Sequence, residues 1–520
     1  MLLKLEDMTT EQKLGMLYCA RPKKAEDMEY TLALIKKRAL GSVQLPPQRQ
    51  DYVKRVREAA DYPIIIVCDT ESGFPTSTKQ HIPLISLAAC GKPEYFEVFA
   101  KAVATDARKA GYNATWGPVV DILDMNGPGR VHRRISDDPQ KVCQAAEIIA
   151  GVYKRNGYMS CGKHYPGGVS LPYDNHMAPT SSLSDMEDLQ NKSLEPYRYL
   201  MERGLLPSIM TTHRKFEKID PEFPGTLSPK IQSIIREMGF DGVTWSDSFA
   251  MLSILQQYGE ENVLGMAIAA GVDVVLPNYR TPVAVSWGHL LKNYADGMFT
   301  EERLNQAAER VIKLMNTLAE IPETVDVFTP EDQQLYDSIA QASVTAVCDP
   351  GCEAKLNTDT RKLFIVLTPN DFNAKEEELF EISDKTWYHP AKVANKIREV
   401  FPDAGIAFLP EFPHKKDNER VLVESTKYDE VVFVSFCETG AYTGTDCLTR
   451  RAESVIDALI LGDKLAAIVH FGNPFALEPI LHAKRKIFGY RMPGAQDCAI
   501  EALAGYFVPQ GKLPFRVNFR

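Results

Sequence analysis

Short, almost wholly apolar runs alternate along this chain with longer segments whose apolar residues recur at helical spacing. In the first part the runs are 41–45, 63–69, 114–120, 157–162, 206–211, 242–247 and 273–276. They lack polar alternation, which suits parallel strands covered on both faces. The helical segments are 8–20, with Thr9 or Thr10 as expected N-cap, then 50–60, 93–110, 139–156, 183–203, 228–238, 261–270, 283–294 and 300–321. This alternation predicts an α/β fold, best a (β/α)8 TIM-type barrel, with an open doubly wound sheet as the competitor. Strand ends favour the barrel. Asp69, Lys163, His164, His213 and Asp247 end or follow different strands, and a barrel gathers its strand C-termini into one ring.

Pro322, Pro330, Pro350 and Gly351 surround a single expected helix, 330–346, and read as a connector. Alternation then resumes. Strands are expected at 362–368, 405–409, 430–436, 465–471 and 485–490, and helices at 390–400, 448–461, 474–482 and 496–507. The pattern predicts a C-terminal α/β three-layer sandwich. The expected organisation is a barrel over 1–325, a connector over 326–360 and the sandwich domain over 361–520.

Composition narrows the function classes. The 520 residues are 44% hydrophobic and 25% charged, ordinary for a globular chain. A net charge of -10 argues against nucleic acid or an anionic membrane as partner. No apolar run is long enough to span a bilayer, and the opening residues have no apolar signal core. Ten cysteines without framework spacing suggest a reducing, cytoplasmic setting. Cys348-x-x-x-Cys352 has no second half, so no metal site is expected. The loop Gly440-x-x-x-Gly444 lacks a Gly-Lys-Ser/Thr ending, so nucleotide binding is not expected either.

The densest chemistry lies in Cys161-Gly-Lys-His-Tyr-Pro-Gly-Gly168, which runs on to Asp174-Asn-His176. Pro and Gly force a loop there. In an extended segment Asp174 and His176 would share a face, and a carboxylate beside an imidazole orients it and raises its pKa. That makes a general acid, or else a plain loop ion pair. Asp247 at its strand end is either a nucleophile or a helix cap. Lys163 and His164 could bind hydroxyls or a charged ligand, or simply be surface groups. Arg133 stands among Arg130, His132 and Arg134, in a binding segment or a solvated basic turn. One proton donor opposite one carboxylate, with no metal, points to glycoside hydrolysis.

The stretch Gly162-Lys-His-Tyr-Pro-Gly with Asp174-Asn-His176 resembles the Lys-His-Phe-Pro-Gly signature of family 3 glycoside hydrolases, in their bacterial β-N-acetylglucosaminidase branch. Asp69-Thr-Glu-Ser-Gly73, Trp116-Gly-Pro-Val-Val-Asp121, Thr226-Leu-Ser-Pro-Lys230, Gly239-Phe-Asp-Gly-Val with Ser246-Asp247, and Pro509-Gln-Gly-Lys-Leu-Pro-Phe-Arg-Val517 match further family stretches. The resemblance implies an exo-acting, retaining β-N-acetylglucosaminidase acting on peptidoglycan- or chitin-derived fragments without a cofactor. Its partner would be a small amino-sugar glycoside. Asp247 would be the nucleophile and His176 the acid/base, oriented by Asp174. Asp69, Arg133, Lys163, His164 and, more weakly, His213 would bind sugar. A phosphorylase, a β-glucosidase and a non-catalytic sugar-binding homologue are the alternatives. Gly168, Val169, Ser72 and Phe74 depart from the family pattern, at positions expected around the pocket rim.

Overall fold

The computed structural model describes residues 2–123, 131–169, 173–320, 325–370, 372, 387–437, 441 and 447–519. Arg130, Pro322, Gly440 and Gly444 lie outside the described residues. The chain is α/β and divides into two compact units, one of residues 1–77, 96–127 and 137–329, the other of 78–95, 128–136 and 330–520.

In the first unit the strands are β1 Cys19–Ala20, β2 Ser42–Gln44, β3 Ile65–Cys68, β4 Ala114–Thr115, β5 Gly162–Tyr165, β6 Ser181–Ser182, β7 Ser208–Thr211, β8 Lys215–Phe216, β9 Asp220–Pro224, β10 Val243–Ser248 and β11 Val274–Leu276. One parallel sheet has the order β1-β2-β3-β4 and another β11-β10-β7-β5. Single parallel bridges join their margins, Tyr18 to Val275 on one side, and Ala114 to Met159 and Val119 to Lys163 on the other. Trp116 and Trp245, both buried, meet edge to face at 4.8 Å between these sheets. A small third sheet, β6-β8-β9, has no counterpart in the hydrophobic pattern, because its strands are short and polar.

Several elements differ from expectation. The first helix stops at Met16 rather than running to residue 20, and Cys19–Ala20 is a strand. A two-residue strand is too short for any period to register. Helix Ala25–Lys36 is unpredicted. The expected helix 183–203 is split into Met186–Asp188, a π-helical turn Leu189–Ser193, and Glu195–Glu202. Of the two expected N-caps of the first helix, Thr9 serves. Thr9 forms a capping box with Gln12, Ser228 caps Pro229–Glu237, and Asp138 caps Pro139–Arg155.

At the start of β11, fully buried Asp273 accepts from Arg236 and Arg303, both at 2.6 Å, and from Arg310 at 3.1 Å. The Thr244 backbone N–H adds a bond at 3.0 Å. One carboxylate therefore fastens helices Pro229–Glu237 and Glu301–Glu320 to the strands.

The second unit holds β12 Thr345–Cys348, β13 Lys362–Thr368, β14 Gly405–Pro410, β15 Glu430–Phe436, β16 Leu465–Phe471 and β17 Arg485–Phe488. Their order is β12-β17-β16-β15-β13-β14, parallel except for β12. The apolar runs 362–368, 430–436 and 465–471 form its buried centre, as their uniform hydrophobicity requires. Helix Pro330–Ser343 ends earlier than expected, and β12 follows it. The expected helix 474–482 is only a 3-10 turn, Pro474–Leu477. Helix Lys415–Ser425 is unpredicted.

Candidate active site

Five of the predicted site residues stand where parallel strands of the first unit end. Asp69 follows β3, Lys163 and His164 lie within β5, His213 follows β7, and Asp247 is next to last in β10. Lys163 and His164 were expected just beyond a strand at 157–162, but β5 starts at Gly162 and includes both. The cation tolerates a strand interior because its ammonium is matched there. Lys163, 3% exposed, pairs with Glu71 and, at 3.4 Å, with Asp69. Pairing of β5 with β7 slips between Lys163 and Tyr165, so His164 falls out of the ladder. Its backbone N–H and its ring Nδ1 both bond Asp121, at 3.0 and 2.8 Å.

Asp174 and His176 meet, but through a turn rather than a shared extended face. Asp174 Oδ1 accepts from the His176 backbone N–H at 2.9 Å and faces ring Nδ1 at 2.8 Å. The Met177 N–H donates to the Asp174 carbonyl at 3.0 Å. The His176 carbonyl in turn accepts from Leu252 N–H at 3.1 Å, which ties this loop to the segment after β10. The dyad is thereby held beside the strand that carries Asp247.

Asp247 is partly exposed and receives the Ser248 N–H at 2.7 Å. Burial alone would raise its pKa. The electrostatic influence of His164, His213 and Lys163, with that N–H, outweighs burial and holds the carboxyl below the usual range. His213 is buried against Phe249, and both its ring nitrogens are engaged: Nδ1 with Thr226 Oγ1 at 2.9 Å, Nε2 with the Ser248 carbonyl at 3.1 Å. Burial, the largest influence, lowers the His213 pKa; Asp247 acts against it, and His176 and His164 add to it. A carbonyl only accepts, so the ring donates from Nε2 and braces the turn beside Asp247. The mutual influence of Asp247, Lys163, His164, His176 and His213 marks one electrostatic neighbourhood.

Arg133 ends a 3-10 turn, Val131–Arg133, that belongs to the second unit. Four residues carry weight without having been singled out. Glu71 and Asp121 lay inside quoted motifs, where a carboxylate near a strand end was the available signal. Arg21 donates to Ser248 Oγ at 2.6 Å and to the Pro277 carbonyl at 3.1 Å. Arg214 grips the carbonyls of Gly167 and Gly168, at 3.1 and 3.3 Å. Neither arginine belongs to a local pattern. Phe74 is buried edge-on to Tyr112 rather than set at a rim. Gly168 has φ +86°, and a Cβ there would stand 2.8 Å from Ser182 Oγ and 2.9 Å from Phe216 Cε1. Its glycine is a packing requirement of the loop against β6 and β8.

A family model described as "Glycosyl hydrolase family 3 N terminal domain" matches residues 9–314. The chain is 24% identical over 333 residues to a beta-N-acetylglucosaminidase/beta-glucosidase of Cellulomonas fimi, covering 60% of this chain and 58% of that protein. It is 31% identical over 247 residues to a beta-hexosaminidase of Xanthomonas oryzae pv. oryzae, covering 44% of this chain and 72% of the relative. A family 3 beta-N-acetylglucosaminidase structure from Paenibacillus sp. str. FPU-7 superposes with a TM-score of 0.80 at 22% identity, covering 99% of this chain and 100% of that one. A beta-glucoside phosphorylase superposes with a TM-score of 0.81 at 19% identity, covering 98% and 95%. At these identities the two superpositions speak to the fold.

Proposed function

The chain belongs to glycosyl hydrolase family 3, and from that premise we propose that it is an exo-acting, retaining β-N-acetylglucosaminidase. The observation that carries this reading is the Asp174–His176 dyad tied to the segment after Asp247. It supplies an oriented proton carrier beside an ionised carboxylate, the two groups that a double displacement needs.

In the first step an Asp247 oxygen bonds to the anomeric carbon as the glycosidic C–O bond breaks. His176 gives its Nε2 proton to the departing oxygen while Asp174 holds Nδ1 and steadies the imidazolium. In the second step His176 takes a proton from water. The water oxygen bonds to the anomeric carbon, and Asp247 is released with the original configuration restored. Asp69, Lys163 and His164 would meet sugar hydroxyls and the acetamido group. Arg133 keeps the sugar-binding role that the family resemblance implies, and His213 contributes by bracing Ser248.

The bridges at both margins of the first unit's sheets support an eight-stranded TIM-type barrel over 1–325. The five parallel strands β13 to β17 support a three-layer sandwich over 361–520, and the antiparallel edge strand β12 is added to their sheet from 326–360. We read the substrates as peptidoglycan- or chitin-derived fragments. Ten free cysteines support a cytoplasmic setting for them. Among the described residues no helix is long and apolar enough to cross a membrane.

The test is nitrophenol release from the aryl β-N-acetylglucosaminide and the aryl β-glucoside, each with and without inorganic phosphate. Faster release from the acetamido sugar, indifferent to phosphate, is the expected outcome. Phosphate acceleration with a sugar 1-phosphate product would make the enzyme a phosphorylase. Turnover of the glucoside alone would make it a β-glucosidase.

A further inference from the structure

The loop that carries Asp174 and His176 leaves β5 at Tyr165 and enters β6 at Ser181. Both of its feet rest on one short segment, 212–216. At the first foot Arg214 Nη1 donates to the carbonyls of Gly167 and Gly168, at 3.1 and 3.3 Å. At the second, the Lys215 N–H donates to the Thr180 carbonyl at 2.9 Å, and β8 pairs with β6 through Ser181 with Lys215 and Ser182 with Phe216. The feet also meet each other. The Val169 N–H donates to Ser184 Oγ at 3.0 Å, and the Leu183 N–H to the Val169 carbonyl at 3.3 Å. The same segment reaches further into the site. The Thr212 N–H donates to the Tyr165 carbonyl at 2.9 Å, at the end of β5, and His213 braces Ser248.

The first foot is the looser of the two by composition. Gly167 and Gly168 stand at φ +82° and +86°, and glycine loses more conformational freedom on ordering than any other residue. The donor that meets their carbonyls is a charged one. Desolvation lowers the pKa of Arg214 to about 10, so its charge persists at neutral pH, and charged donors make the stronger hydrogen bonds. The dyad closes its own contact through a local turn, which fixes His176 against Asp174. That turn does not fix where the pair stands relative to Asp247. The placement depends on the tie from Leu252 and on the two feet of the loop.

We infer that Arg214 is a positioning residue for proton transfer: by holding Gly167 and Gly168 it sets where His176 stands relative to Asp247. The inference rests on the acid/base reading of His176. Arg214 acts through the loop. A misplacement of about 1 Å costs about 10²-fold in rate, and here the cost falls on the step that needs the proton. Loss of Arg214 should therefore resemble a partial loss of His176 and leave substrate binding little changed.

The test compares the intact chain with Arg214→Gln, Arg214→Lys and His176→Ala, on an alkyl and an activated aryl glycoside of whichever sugar is turned over. Arg214→Gln should lower kcat about 10²-fold on the alkyl glycoside and less than about tenfold on the aryl one, with KM little changed. Arg214→Lys keeps a charged donor nitrogen and should recover part of the loss. Hydrogen exchange should quicken in Arg214→Gln at the amides of His176, Met177 and Ala178, which donate to Asp174. Where His176→Ala is selective for the alkyl glycoside, equal losses in Arg214→Gln on both glycosides overturn the inference. Where His176→Ala loses equally on both, the acid/base reading fails by itself, and exchange alone decides whether Arg214 positions the dyad. Unchanged exchange at these amides overturns it in either case. Ser184→Ala cuts the neighbouring tie to Val169 at the same foot and should show the same selectivity to a smaller degree. If neither arginine variant folds, absence of that selectivity in Ser184→Ala overturns the inference.

Discussion

At the scale of single residues, charge placement decides what each site group can do. Asp247 is ionised below the usual carboxylate range because nearby His and Lys side chains and one N–H outweigh its burial. Asp247→Asn keeps the shape and removes the nucleophilic charge. It should abolish glycoside turnover, by about 10³-fold or more in kcat, with a folded circular dichroism spectrum. His176→Ala should slow glycosides with poor leaving groups far more than activated aryl ones, because only the former need a proton. Equal losses on both substrates, measured side by side, would reject the acid/base role. The acidic limb of kcat/KM should fall below the ordinary Asp range, since protonation of Asp247 is delayed as pH drops.

The site residues differ in how far the sequence displays them. Asp174 and His176 are two apart, and one turn closes their contact. Glu71 and Asp121, which engage Lys163 and His164, are distant in sequence from those partners. Their pairing depends on neighbouring strands, which no local spacing encodes. His213 presents the opposite lesson. It looks like a sugar ligand in sequence, yet both its ring nitrogens are engaged within the protein.

At the scale of elements, Asp273 fastens two helices of the first unit to its strands. It is fully buried and takes bonds from three arginines on two helices and from Thr244. Asp273→Asn removes the charge that all three guanidinium groups share. Breaking a buried pair of this kind costs about 3–5 kcal/mol. Urea denaturation should show the midpoint falling with little change in slope, and an unshifted midpoint would dismiss the fastening role. The long apolar strands of the second unit were legible, 362–368, 430–436 and 465–471 being recovered with their ends. The two-residue strands β1, β6 and β8 were not. At that length pairing partners create the strand, and intrinsic preference contributes little. Helix Ala25–Lys36 was missed although its composition is permissive.

At the scale of the whole molecule, stability should depend on pH through buried histidine. His470 in β16 is fully buried, bonded to Ser435 and to the Asn473 carbonyl, and burial lowers its pKa to about 4. An unfolded histidine titrates near 6.5. Between those values the unfolded chain binds the extra proton, so this contribution is complete above about pH 6.5 and is lost as pH falls towards 4. Its size is roughly 3 kcal/mol. Thermal melts of the wild type and His470→Asn should therefore converge as pH is lowered from 7 to 4. Parallel curves would show that His470 is not the group responsible.

The hydrophobic pattern by itself determined the α/β class and the parallel character of the main sheets. These follow from burial on both strand faces, a property each segment carries alone. The motifs likewise determined the family. Three things were left to the tertiary structure: the carboxylates that hold Lys163 and His164, the assignment of 78–95 and 128–136 to the second unit, and the meeting of Arg214 with Gly167 and Gly168. Each depends on residues brought together across long stretches of chain, and charge at a site is a sum over neighbours in space.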